Sequence, residues 1–364
     1  MAFTKIALTG YKNYQSAVFS FTHRIVGICG LNGKGKTNLL DAINYLCFTK
    51  SYFSKSDLAN VFFGSEGFRL EGELEHNNSS IKKNNKVVCI YRSISKKEFF
   101  LDDVAYVKFS HHIGKFPCVM IAPDDIEMIT GGSEERRKYL DTLISQVDPE
   151  YLRQLITYNK VIQQRNSFLK NESSQSSFDI PLLEALDAQL IGPGIYIHQI
   201  REKISKELVP LIKKFYSEIS ANDEIISIEY SSQLRGCDFK NLLNSYRQKD
   251  IVSQRTNAGV HKDDLDFLLN QNAFKTTASQ GQRKSLLFAC KLAEFEILLA
   301  KNNLPPLLLL DDVFEKLDEV RIKNLLEYVC KKNNGQVFIT DTHKERLEAA
   351  LSEFDEEVQI IQLI

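Results

Sequence analysis

Gly30-Leu31-Asn32-Gly33-Lys34-Gly35-Lys36-Thr37 has the G-x-x-x-x-G-K-[ST] spacing of a phosphate-binding loop. The chemistry explains the spacing. Glycines let the backbone fold so tightly that its N–H groups converge on an anion. Lys36 then reaches the β- and γ-phosphates, and the Thr37 hydroxyl ligates Mg²⁺. Gly30, Asn32, Gly33, Lys34, Gly35, Lys36, Thr37 and the following Asn38 are therefore the expected nucleotide contacts. A second feature fits the same chemistry: four leucines, 307–310, lead into Asp311-Asp312. A buried strand ending in carboxylates matches a Walker B element, although buried strands often end at polar residues. Asp311 would hold Mg²⁺, and Asp312 would polarise the attacking water. A third, Ser279-Gln280-Gly281-Gln282, precedes a helical run, where a Ser and a Gly backbone form an anion cradle. The same residues also read as a capping box, Ser279 with Gln282.

These residues need particular elements around them. Residues 24–29 read as a buried strand entering the loop, and 37–43 as the helix leaving it. Further strands are expected at 5–9, 17–21, 68–75, 86–92 and 116–121, with 77–85 as a polar hairpin tip or loop. From about 133 to 220 the pattern turns helical, with Gly192-Pro193-Gly194 expected to kink or break the second long helix. The expected organisation is an α/β ATPase lobe in two halves, 1–122 and 254–364, interrupted by a mainly helical insertion at 123–253. Its helical seams are too short for a long coiled coil.

Composition narrows the class. At 364 residues the chain has ample core for about two domains. A net charge of −1 argues against a globally basic nucleic-acid binder and leaves room for local basic patches. Seven scattered cysteines without C-x-x-C read as reduced thiols of a cytoplasmic protein. No signal-peptide pattern or membrane-spanning apolar run is visible.

The order phosphate loop, long insertion, S-x-G-Q, leucines with Asp311-Asp312, then Phe314-Glu315-Lys316-Leu317-Asp318 resembles an ABC-type ATPase head. Within that class the chain is similar to the RecF family of bacterial recombination mediators over nearly its whole length. Leu8 to Tyr14, Gly30 to Asn38, Ala122 to Asp141, Gln164-Arg165-Asn166, and His261-Lys262-Asp263-Asp264-Leu265 carry the resemblance. It implies ATP and Mg²⁺ as cofactors and an ATP-dependent homodimer. Ser279, Gln280, Gly281 and Gln282 would complete a partner copy's γ-phosphate site, and the Asp318 loop would lie across the interface. Lys12 and Asn13 would touch the α-phosphate or base edge. The implied partners are DNA, duplex near single-strand gaps, and RecR acting with RecO. The implied outcome is recombinase loading, support of the SOS response and slow ATP hydrolysis. Two departures stand out: the GPG segment at 192–194, and Asp341 where transporters place a switch His.

Several charged runs have a structural reading beside a DNA-binding one. Lys82, Lys83, Lys86, Lys96 and Lys97 could track a phosphate backbone or merely face water. The same holds for Arg136, Arg137 and Lys138, and for Arg201, Lys203, Lys206, Lys213 and Lys214. Asp263-Asp264 resembles a metal pair, but adjacent side chains point apart on a helix or strand. A transporter ATPase subunit and a coiled-coil structural arm protein are the competing classes. The long span between loop and signature disfavours the first, and the missing arms disfavour the second.

Overall fold

The computed structural model describes residues 1–78, 81–172, 179–220, 224–302, 304–315, 319–332, 334–352 and 358–364. For residues 77–78, 81–83, 172, 315, 319 and 332 it describes the backbone alone. The chain forms two compact units. One comprises Met1–Asp125, Lys214–Asn222 and Gln280–Ile364; the other comprises Ile126–Lys213 and Asp223–Ser279.

The first unit holds two sheets. In one, β1 (Ala2–Tyr11), β2 (Tyr14–Ser20), β4 (Gly67–Asn78), β5 (Ile81–Arg92), β6 (Glu98–Leu101) and β7 (Val104–Ala105) form an antiparallel array ordered β2-β1-β4-β5-β6-β7. The other is parallel: β3 (Ile25–Cys29), β8 (Cys118–Ile121), β12 (Leu307–Leu310), β13 (Val337–Asp341) and β14 (Val358–Gln362), ordered β14-β3-β13-β12-β8. β3, β8, β12 and β13 are apolar throughout or nearly so and buried along their whole length, as strands covered on both faces must be. Helix α1 (Lys36–Phe48) buries Leu39, Leu40, Ile43 and Leu46 against Phe3, Ile6, Leu8, Leu307 and Leu309 in one core. The polar stretch expected as a hairpin tip or loop at 77–85 is the far end of a hairpin, in which β4 and β5 stay paired out to Asn78 and Ile81. Antiparallel backbone pairing needs no apolar side chains at a solvated hairpin end.

The second unit is mainly helical, with α2 (Glu127–Thr130), α3 (Ser133–Val147), α4 (Pro149–Glu172), most of α5 (Ile180–Ser220), α6 (Phe239–Ser253) and α7 (Phe274–Thr277). A small antiparallel sheet adds β9 (Ile226–Ser231), β10 (Asp264–Leu269) and β11 (Asn272–Ala273). The boundary expected at 253/254 lies instead at 279/280. The cause is pairing: Asp264 to Leu269 align with Ser231 to Ile226, which binds the segment after 253 into the second unit.

The expected break at Gly192-Pro193-Gly194 is also absent: α5 is helical from Ile180 to Ser220. Leu183, Leu190, Ile197, Ile204, Leu208 and Ile212 keep one buried face across the GPG. Burying one such side chain stabilises by roughly 1.5–3 kcal/mol, so a row of them outweighs the roughly 3 kcal/mol cost of one internal proline. Gly194 has its own reason, since a Cβ there would meet the Phe239 ring, with Cδ1 at 3.0 Å. The remaining helices, α8 (Gln280–Lys301), α9 (Glu319–Leu326) and α10 (Lys344–Ser352), return to the first unit. No long coiled coil occurs among the described residues. None of their helices is long and apolar enough to cross a membrane.

Candidate nucleotide site

Parallel pairing places the C-terminal ends of β3, β12 and β13 on one edge: Leu310 aligns with Ile339, and Asp341 with Cys29. Loops leaving that edge of a parallel sheet are where open α/β folds bind ligands. The 30–37 segment leaves β3 there. Gly30, Gly33 and Gly35 take φ values of 153°, 81° and 105°. Gly35 is the N-cap of α1 and is doubly constrained. A Cβ there would be strained and would also meet Asn13 Nδ2 and Tyr14 Oη, both at 2.7 Å.

Lys36 is almost fully buried, and its ammonium donates to Gly30 O at 2.7 Å and Leu31 O at 3.4 Å. It thus spans the mouth of its own loop. The Thr37 hydroxyl donates to Asp311 Oδ2 at 2.9 Å, with Oδ1 at 3.0 Å. Thr340, from the strand between β3 and β12, donates its hydroxyl to Asp311 Oδ1 at 2.8 Å. The Asp312 N–H in turn donates to Thr340 Oγ1 at 2.9 Å. Burial raises the Asp311 carboxyl to about 6, with the Asp312 charge adding to the rise. The Thr340 and Thr37 hydroxyls and the Lys36 charge oppose it. Asp312 has φ 45°, a left-handed turn directly after β12.

A hydroxyl and a carboxylate in direct contact are hard oxygen donors, and they fit Mg²⁺. Thr37 and Asp311 thus meet across 274 residues of sequence. Asn13 also arrives at the loop. Its Oδ1 accepts from Asn38 Nδ2 at 2.7 Å, and its Nδ2 donates to Gly33 O at 3.5 Å. Tyr14 braces the loop by donating to Gly35 O at 3.1 Å.

Other sites differ from expectation. The Lys12 ammonium is 2.6 Å from Asp41 Oδ2. Asp41 is wholly buried and also accepts from Tyr11, Ser51 and the Tyr52 N–H. Lys12 thus pairs with a buried carboxylate, where a contact to the α-phosphate or base edge was expected. Asp341 is nearly fully buried; burial opposes its charge, but the Arg346 guanidinium and the His343 N–H outweigh it and hold the carboxylate below its ordinary range. Ser279 ends the second unit and Gln280 opens α8, and both are exposed; Gly281 and Gln282 are half-buried. Asp318 lies outside the described residues, and so do the side chains of Lys82 and Lys83.

The basic runs divide. Arg136 is buried, with its guanidinium forked onto Asp264 at 2.6 and 2.9 Å, and is corrected from DNA candidate to structural residue. Arg137 donates to Asp263 O at 2.7 Å, and Lys138 is exposed beside Glu135. Arg201 is buried between Asp141 and Asp263, each at 2.8 Å, rather than on a basic helix face. Lys86 pairs with Glu71 and Lys97 with Asp57. Among the described residues no cluster of His, Cys, Asp and Glu has the form of a metal site.

The functional residues not expected from sequence are Thr340 and Tyr14. For Thr340 a signal existed: the apolar run Val337 to Ile339 ends in Thr340-Asp341, as the Walker B run ends in carboxylates.

The family model for the RecF/RecN/SMC N-terminal domain matches residues 2–362. The DNA replication and repair protein RecF of Flavobacterium johnsoniae is 40% identical over 363 residues, covering 100% of both chains. That of Bacteroides thetaiotaomicron is 37% identical over 363 residues, covering 100% of this chain and 97% of its own. The chain belongs to the RecF family. The solved structure of the recombination mediator protein RecF-ATP in the RecFOR pathway is similar to this RecF-family chain at TM-score 0.84 and 31% identity. It covers 94% of this chain and 92% of that one. An Smc head domain from Pyrococcus furiosus shares the fold at TM-score 0.57 and 14% identity, covering 100% and 94%. The fold is thus that of an ABC-type, SMC-head-like ATPase.

Proposed function

We propose that this chain is an ATP-dependent DNA-binding protein of replication and repair, in which ATP closes two copies on DNA and hydrolysis releases them. The observation that carries the reading is the contact of Thr37 with Asp311 beside Lys36, three chemically matched groups from two distant segments. The RecF relatives support the replication and repair setting, and the relative solved with ATP supports the nucleotide. Lys36 and the loop N–H groups would hold the phosphates; Thr37 and Asp311 would hold Mg²⁺, which neutralises phosphate charge when bound. Asp312 would orient and deprotonate the attacking water. Asn13 and Asn38 would line the nucleotide. Ser279, Gln280, Gly281 and Gln282, with the Asp318 loop, would complete the site of the partner copy, so that an isolated copy turns over slowly. Duplex DNA near single-strand gaps, and RecR with RecO, are the proposed partners, and recombinase loading the outcome.

Sedimentation velocity with ATP and with ADP, with and without gapped DNA, tests this reading. ATP should produce dimers that ADP does not. Ser279→Arg should keep ATP binding and lose dimers. ATP-independent sedimentation would contradict the closure, and lost ATP binding in Ser279→Arg would contradict its action on a partner copy.

A further inference from the structure

The segment from Lys249 to Asp264 contains three carboxylates and three side-chain cations, Lys249, Arg255 and Lys262. The fold sorts them by sign. Asp250 is wholly buried and takes Arg165 at 2.7 Å; Asp263 is buried and takes Arg201 at 2.8 Å; Asp264 takes Arg136. The three cations face outward. All are exposed, and none has a carboxylate partner among the described residues. Arg137, half-buried, is fastened one residue from Lys262 by its bond to Asp263 O. Burial and then the Arg255 and Arg137 charges push the Lys262 ammonium below its ordinary value, against the pull of Asp250, with Lys249 adding to the push. Four like charges thus share one surface of the second unit.

Arg137 lies on α3 and Lys249 on α6, and the loop that carries Arg255 and Lys262 is braced by hydrogen bonds. Asn257 donates its N–H and its side-chain amide to Asp250 Oδ1, both at 2.9 Å, and the amide also reaches Arg255 O. His261 bridges Thr256 O at 3.0 Å and the Tyr158 hydroxyl at 2.9 Å. Cations held on a fixed loop lose less entropy on binding than cations on a mobile one. A chain of net charge −1 has no global attraction for a polyanion, so any attraction must come from such local sorting.

We infer that Arg137, Lys249, Arg255 and Lys262 form a phosphate-contact surface for the backbone of DNA. This inference rests on the reading that the chain binds DNA, and it names where. The contact is to phosphates, so it is independent of base sequence and salt-sensitive.

The test measures affinity for a gapped duplex by fluorescence anisotropy with ATP and Mg²⁺, between about 50 and 200 mM salt. The proteins are the wild type, Arg255→Gln/Lys262→Gln and Arg255→Lys/Lys262→Arg. The Gln pair should bind more weakly on every sequence, and its slope of log affinity against log salt should be shallower by about two. The charge-keeping pair should match the wild type, and all three should bind ATP equally and melt alike. A wild type that binds DNA beside a Gln pair with unchanged affinity and slope overturns this surface and leaves the DNA-binding reading intact. A wild type that does not bind DNA overturns both. A Gln pair that loses ATP affinity or thermal stability marks these residues as structural and also overturns the inference.

Discussion

Two adjacent aspartate pairs, one in each unit, look alike in sequence and are opposite in structure. Asp263-Asp264 is paired with cations: Arg201 and Tyr230 both donate to Asp263 Oδ2, and Arg136 forks onto Asp264. Asp311, first of the other pair, touches the hydroxyls of Thr37 and Thr340 and is in a salt bridge with no described residue. A buried carboxylate served only by neutral hydrogen-bond donors has no cation to offset its desolvation, and burial raises the Asp311 carboxyl to about 6. A carboxylate already paired with an arginine has that offset. The difference teaches that the motif alone does not set the partner: one pair meets arginines, and Asp311 meets hydroxyls.

The largest effect is expected where a buried cation holds two carboxylates. Arg201→Met leaves Asp141 and Asp263 without their cation and should cost about 3–5 kcal/mol, read by denaturant unfolding. A loss below about 1 kcal/mol would break the contrast. Lys36→Met should act on ligand instead. Losing one charged hydrogen-bond donor to phosphate is worth roughly 1.5–3 kcal/mol, or about ten- to hundredfold in ATP affinity by calorimetry.

A third test concerns the buried cluster of Lys291, Asp125, Tyr52 and Glu294. Burial raises Glu294 to about 7, with the Lys291 charge opposing and the Asp125 charge adding. Its folded value exceeds its ordinary 4.5, so between those values the folded state holds more protons than the unfolded. Stability should therefore fall as pH rises through that window, by at most about 1.4 kcal/mol per pH unit from this group. Glu294→Gln should flatten that fall in unfolding curves taken at several pH values. The smallest effect is expected for Lys138→Ala. Its exposed pair with Glu135, 3.4 Å apart, should contribute below about 1 kcal/mol.

Much of the site was legible because its chemistry is local. Glycine spacing fixes the loop, Lys36-Thr37 follow it, and four leucines announce the strand before Asp311. What sequence could not show was pairing at a distance. Arg136 and Arg201 read as surface charge, because nothing nearby in the chain reveals Asp264 or Asp263, more than 120 and 60 residues away. Lys12 read as a ligand contact, because Asp41 is turned toward it only once α1 packs against β1. The GPG segment read as a kink or a break, because proline's local cost is visible in sequence and the buried face of α5 is not; the break is absent. The second boundary shifted for the same reason: β9 and β10 pair across more than thirty residues.

The most direct test of the contrast is an equilibrium titration of ATP, with and without Mg²⁺, into the wild type and Asp311→Asn. The wild type should bind ATP more tightly when Mg²⁺ is present, and Asp311→Asn should lose that gain while still binding ATP. If Asp311→Asn keeps the full gain from Mg²⁺, Asp311 is as structural as Asp263, and the distinction drawn between the two pairs is wrong.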